Sequence, residues 1–175
     1  MWTTVAGTCI CVILAIIFFG IKFDDFNKPP IYFLTLGFAG SLSLALFKEK
    51  RTRDVIYINI LIYFLFATAV ARIPRPIVAV ILFIYFTAMV MALYVYVKYF
   101  DKKLIHLPIA RPLILAAIVG LFYIAANIIH GLLFISQFST GFLLANLPIG
   151  FLLGLSFGLG SEISERYFLG LTKKV

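Results

Sequence analysis

Charge is scarce in this sequence, and acid is scarcer still. Aspartate and glutamate number 7 against 15 lysines and arginines, and charged residues make up only 13% of the 175 positions. Soluble domains usually hold about 25% charged and about 45–50% apolar residues. A chain that is 63% hydrophobic, with a mean hydropathy of +1.11, has too little polar side chain to cover a water-facing surface. The shortage excludes a water-soluble globular fold. It points to an all-α integral membrane protein, because continuous apolar runs satisfy their backbone in lipid only as helices.

Other absences narrow the chemistry. The two cysteines, Cys9 and Cys11, sit at i and i+2 of one apolar run, on different helix faces, so they neither bridge each other nor start a disulfide framework. They read as small buried hydrophobes. No HExxH, no GxSG-type nucleophile context and no metal-spaced Cys/His cluster occurs. The apolar runs carry no acidic or basic residue well inside them, which argues against an intramembrane proton relay or voltage sensor. Asp24 and Asp25 are adjacent in a connection and read as a solvated loop. An enzyme is not expected, and no metal or other cofactor is expected. A lipid-directed enzyme using Glu162, Glu165 or His106 ranks last, since these residues lack motif spacing.

What the sequence does have is length of apolar run. A transmembrane helix needs about 20 mostly apolar residues, with about 17 tolerable. Six stretches qualify: 2–22, 31–47, 55–71, 77–100, 113–135 and 141–160. The first lacks a basic leader and a small-residue cleavage site, so it reads as a retained span. Short connections favour antiparallel neighbours, and residues 1–175 are expected to form a single transmembrane domain, a compact bundle of six helices. Pro29, Pro30, Pro74, Pro76, Pro108 and Pro112 fall in connections or first turns, where a missing N–H does no harm. Pro148 alone lies inside a predicted span.

The formal charge of +8 sits in short blocks between the runs. Such blocks set topology, and anionic lipid head groups rather than nucleic acid are their expected partner. With six spans, eleven basic residues fall on one side, among them Lys48, Lys50, Arg51, Arg53, Lys102 and Lys103. Lys22, Lys28, Arg72 and Arg75 are left on the other, four of the 15. The excess predicts a multi-pass protein of the cell (inner or plasma) membrane with both termini cytoplasmic. The stretch 99–111 and the tail 163–175 are expected to lie along the interface, with Glu162 and Arg166 as a surface pair at i,i+4.

The most informative region is the last predicted hairpin. Ala116, Gly120, Tyr123, Asn127 and His130 recur at four and three spacing on one helix face. Gly150, Gly154 and Gly158 form a doubled GxxxG, which lets another helix approach closely. Counting from a turn near Phe138 places His130 level with Asn146, and Asn127 near Pro148, where the proline should loosen the sixth span. The cluster of Asn127, His130, Asn146 and Pro148 has two readings: interhelical hydrogen bonds that fix the hairpin, or a solute site beside a broken helix. The glycine stripe likewise either seats a neighbour in the same chain or builds an oligomer.

In outline, six spans and a basic charge resemble the substrate-binding components of energy-coupling-factor vitamin transporters. The first run has Ala6 and Ala15 without the AxxxA spacing those proteins use for docking, so no family is assigned. The expected function is a non-enzymatic membrane subunit that self-associates or joins a partner subunit, in a secretion, envelope-sensing or phage-defence type of assembly. The alternative is a small-solute transporter or channel with its polar site between the fifth and sixth spans.

Overall fold

The fold is that of a computed structural model, described for residues 1–19, 29–70, 76–104, 106–134, 141 and 147–168. Among the described residues the chain is all-helical, with no strand. Six α-helices follow one another: α1 (Trp2–Phe19), α2 (Pro29–Lys48), α3 (Thr52–Val70), α4 (Pro76–Tyr96), α5 (Ala110–Phe134) and α6 (Leu147–Ile163). Two π-helical turns, π1 (Val97–Asp101) and π2 (Ser164–Phe168), prolong α4 and α6. Three helices are long and apolar enough to cross a membrane: Ala79–Asp101, Ala110–Phe134 and Leu147–Tyr167. Two more, Trp2–Phe18 and Phe33–Lys48, are apolar but shorter over their described residues. The structure thus has the helices of a membrane protein.

Proline marks the helix starts. Pro29 and Pro30 open α2, Pro76 opens α4, and Pro112 lies in the first turn of α5. Pro148 is the second residue of α6 as described and is exposed, while 142–146 lie outside the described residues. In the stretch 99–111, residues 99–101 belong to π1 and 110–111 to α5; between them Leu104 N–H donates to the Phe100 carbonyl and Leu107 N–H to the Leu104 carbonyl, with Ile109 exposed and residue 105 outside the described residues. Of the tail, residues 169–175 lie outside the described residues.

Glycine decides how the helices meet. A methyl group on Gly154 would stand 2.7 Å from Ala116 Cα, and one on Gly158 would stand 2.5 Å from Pro112 Cα. At Gly150 the obstacle is Tyr123 Cβ, again at 2.7 Å. The doubled GxxxG is therefore filled along its length by α5 of the same chain, and an oligomer built through that stripe has no room. The opposite side of α6 is just as close to α1, where Gly160 faces the backbone of Gly7, and Phe157 fills the space over Gly40 of α2. Flanked by α5, α1 and α2, α6 is the central post. Its Leu153 and Phe157 are fully buried, as are Leu36 of α2, Met89 and Leu93 of α4 and Leu115 of α5.

Helix α3 packs against α2 and α4. Tyr63 holds it to α4 through edge contacts with Phe83 and Phe86 and donates to the Ala79 carbonyl at 2.8 Å. Its other flank leaves Tyr57, Phe64 and Leu65 exposed.

Three small hydroxyls inside the packing bond to the carbonyl one turn back. Ser43 donates to the Ala39 carbonyl (2.6 Å), Ser156 to Leu152 (2.5 Å) and Thr8 to Thr4 (2.6 Å). At its far end α2 closes in a Schellman turn: Arg51 N–H donates to the Leu46 carbonyl and Lys50 N–H to that of Phe47. Lys50 takes the left-handed position at φ 62°, where glycine is usual and a lysine costs about 1 kcal/mol.

Candidate functional site

Two polar clusters stand out against the apolar packing. The larger gathers at the end of the molecule where α2 stops, α5 starts and α6 runs into π2. Its hub is Arg111, in the first turn of α5 and 5% exposed. One terminal nitrogen donates to Glu162 at 3.0 Å and to Glu165 at 2.9 Å. The other donates to Asp101 at 2.8 Å and reaches the second Glu165 oxygen at 3.5 Å. A planar fork is what allows one side chain to hold three carboxylates.

Lys48, at the end of α2, adds a second cation. Its ammonium lies 2.5 Å from Glu165, 3.1 Å from Asp101 and 2.7 Å from the Ser161 hydroxyl, which itself donates to Glu165 at 3.1 Å. Arg166 donates to Glu162 at 2.6 Å, so the pair expected at i,i+4 forms, with Glu162 shared between Arg166 and Arg111. Three cations, Lys48, Arg111 and Arg166, thus meet three anions, Asp101, Glu162 and Glu165. A buried guanidinium without such partners would be costly, and the matched count removes that penalty.

This hub corrects the sequence reading. Arg111 was counted among loop basics, yet it lies inside a helix and is enclosed. Glu162 and Glu165 are ion-pair partners of that arginine. The cluster joins four stretches of chain, and every carboxylate in it already faces a cation.

The basic face predicted at Lys48, Lys50, Arg51, Arg53, Lys102 and Lys103 divides accordingly. Lys48 is drawn into the hub, while the other five stay exposed. Arg51 folds onto Asp54 at 2.5 Å.

The second cluster lies between α4 and α5. Asn127 is fully buried, and the Tyr85 hydroxyl donates to its side-chain oxygen. The same hydroxyl lies 3.3 Å from His130 Nδ1, and the half-buried His130 ring meets Tyr85 and Phe134 edge-on. Asn127 and His130 therefore do come together, with Tyr85 of α4 between them. Pro148 is not part of this group, and Asn146 lies outside the described residues. Tyr85 was missed because one tyrosine in an apolar run reads as packing. A third, smaller contact ties α3 to α2: Asn59 donates to Ser43 at 2.6 Å and to the Val55 carbonyl at 2.8 Å.

The termini of the helical array also meet. Thr3, at the start of α1, donates to Ser164 of π2 at 3.0 Å. That bond sits at the same end as the Arg111 hub, one residue from Glu165.

Set beside known proteins, the chain stands apart: no family model, no curated protein and no solved structure matches it.

Proposed function

We propose that the chain is a multi-pass protein of the cell membrane, with six helices crossing the bilayer and both ends cytoplasmic, that serves as a non-enzymatic subunit of a larger membrane assembly. The observation that carries this reading is where the polar groups are directed. Arg111, Lys48, Asn127 and Asn59 each hold one helix against another, while the outer flank of α3 is apolar and exposed among the described residues. An exposed apolar flank of this kind suits packing against a helix of another chain, either a second copy or a different subunit. The basic excess at the Lys48 end and the Thr3–Ser164 bond support placing both termini on one, cytoplasmic, side.

The test is a photo-crosslinking residue at Phe64, introduced into the full chain in its native membrane. The reading expects protein adducts at Phe64 and none at Leu132, on the exposed side of α5. Lipid adducts alone at both positions would sink it. Tags at the two ends should be shielded from outside reagents together.

One observation favours a second reading, a small-solute pathway beside α5. His130 is only half-buried next to the Tyr85–Asn127 bond, where a solute could meet it. That reading fails if His130→Ala folds normally and fully replaces the natural protein in cells.

A further inference from the structure

We propose that a pocket at the corner of α2, α3 and α4 is a binding site for a phosphate-bearing group, the head group of an anionic phospholipid. The pocket has a volume of about 360 Å³ and is lined by Lys48, Lys50, Lys98 and Lys102, with Asp101 as its one carboxylate. Four positive charges against one negative leave +3 in the lining. Asp101 adds little repulsion toward an anion, because Lys48 at 3.1 Å and Arg111 at 2.8 Å already hold it. Lys50, Lys98 and Lys102 form no ion pair among the described residues. Three lysines gathered at one cavity repel one another unless an anion joins them. Ammonium groups suit a phosphate as point charges, needing no fixed fork geometry.

Two further features point the same way. Lys50 occupies the left-handed cap of α2 at φ 62°, where glycine would sit without strain, and in that position it lines the pocket. Strain retained at the wall of a charged cavity is a mark of use. Thr52 also lines the pocket, at the first turn of α3, whose N–H groups favour an anion. Asp54 of that turn is turned onto Arg51 and does not line the cavity. The remaining wall favours lipid over free phosphate. Phe47 and Tyr94 meet edge-on at 5.8 Å and give a glycerol and acyl stem an apolar path. Lys98 stands over the Tyr94 and Tyr99 rings, at the mouth.

The full-length protein in a neutral detergent is titrated with dihexanoyl phosphatidic acid and, separately, with inorganic phosphate. Binding is read from Tm and from adducts retained in native mass spectrometry. One lipid molecule should bind saturably, and Lys98→Gln/Lys102→Gln should weaken it about tenfold or more, as loss of charge-assisted contacts implies. Arg53→Gln/Lys103→Gln, which removes the same charge outside the pocket, should leave it unchanged. Lys50→Gly should raise Tm of the unliganded protein and still weaken lipid binding, a combination that a purely structural lysine would not give. Lipid binding without phosphate binding assigns the site to a head group, and equal affinities assign it to free phosphate. Equal losses in the pocket and control variants, or no saturable binding of either probe, would overturn the proposal.

Discussion

Arg111 holds Glu165 with both of its terminal guanidinium nitrogens, at 2.9 and 3.5 Å, across 54 residues of chain. The contact joins the first turn of α5 to the turn that follows α6. Those two helices meet backbone to backbone along the glycine stripe, which is apolar and tolerates sliding. The ion pair sits at one end of that seam and fixes how far α6 can slip along α5. Asp101 and Lys48 extend the same restraint to α4 and α2, so register for four helices is set at one corner. A hydrophobic seam gives adhesion, and a directional charged contact gives alignment.

Removing the hub cation should therefore be severe. Arg111→Met leaves Asp101, Glu162 and Glu165 facing one another with one fewer cation. The expected loss is about 2–4 kcal/mol, below the deepest buried cases because Glu165 partly reaches solvent. Arg166→Gln, at the exposed rim, should cost under about 0.5 kcal/mol. Thermal unfolding in detergent separates the two, and equal effects would contradict the hub.

The glycine stripe predicts a graded series. Gly154→Ala puts a methyl against the Ala116 backbone and the Leu115 carbonyl, which cannot turn aside, so α5 and α6 must separate. A loss of about 1–3 kcal/mol is expected from such overpacking. Gly120→Ala meets only the tip of Leu147 at 3.1 Å, a side chain that can rotate, and should be close to neutral. Tm values in the reverse order would show that α6 packs elsewhere.

Those same residues show how far the sequence could be read. Apolar runs locate helices because lipid-compatible length is a local property, and each described helix falls on such a run. The four-residue glycine spacing likewise revealed a contact face. It could not say what fills that face, since the occupant is α5, 27–46 positions away, and spacing carries no address. Arg111 closes the stretch 99–111, which reads as an interfacial connection. Its burial exists only once Asp101, Glu162 and Glu165 converge from separate segments. Depth counting paired His130 with Asn146 by assuming the neighbour in sequence is the neighbour in space. For Asn127 and His130 the described polar partner is Tyr85, on α4.

Pro148 gives a prediction that tests where α6 begins, since 142–146 lie outside the described residues. A proline deep in a span removes a hydrogen bond and bends the helix, and replacing it would change stability by about 3 kcal/mol. In the first turn the N–H has no helical partner to lose. Pro148→Ala should therefore shift stability by less than about 0.5 kcal/mol. A large change in either direction, measured by thermal unfolding, would return the proline to the interior of a longer helix.

The Tyr85–Asn127 contact can be weighed by a double-mutant cycle. Both groups are buried between α4 and α5, and in a medium poor in water a lost donor is not replaced by solvent. Tyr85→Phe keeps the ring and its packing on Tyr123 while deleting the hydroxyl, so its effect reports the contacts of that hydroxyl with Asn127 and His130, and the cycle with Asn127 extracts the pair. Asn127→Leu removes the acceptor and keeps the volume close. Each single change should cost about 1–2 kcal/mol, since each leaves the other group without this partner. The double variant should lose little more than either single one, because the second change removes a group already deprived of its bond. His130→Ala gives the contrast: its ring reaches the Tyr85 hydroxyl only at 3.3 Å, so it should cost less than either member of the pair. Strict additivity of Tyr85→Phe and Asn127→Leu would mean that the two act through separate neighbours, and that α4 and α5 are aligned by packing alone.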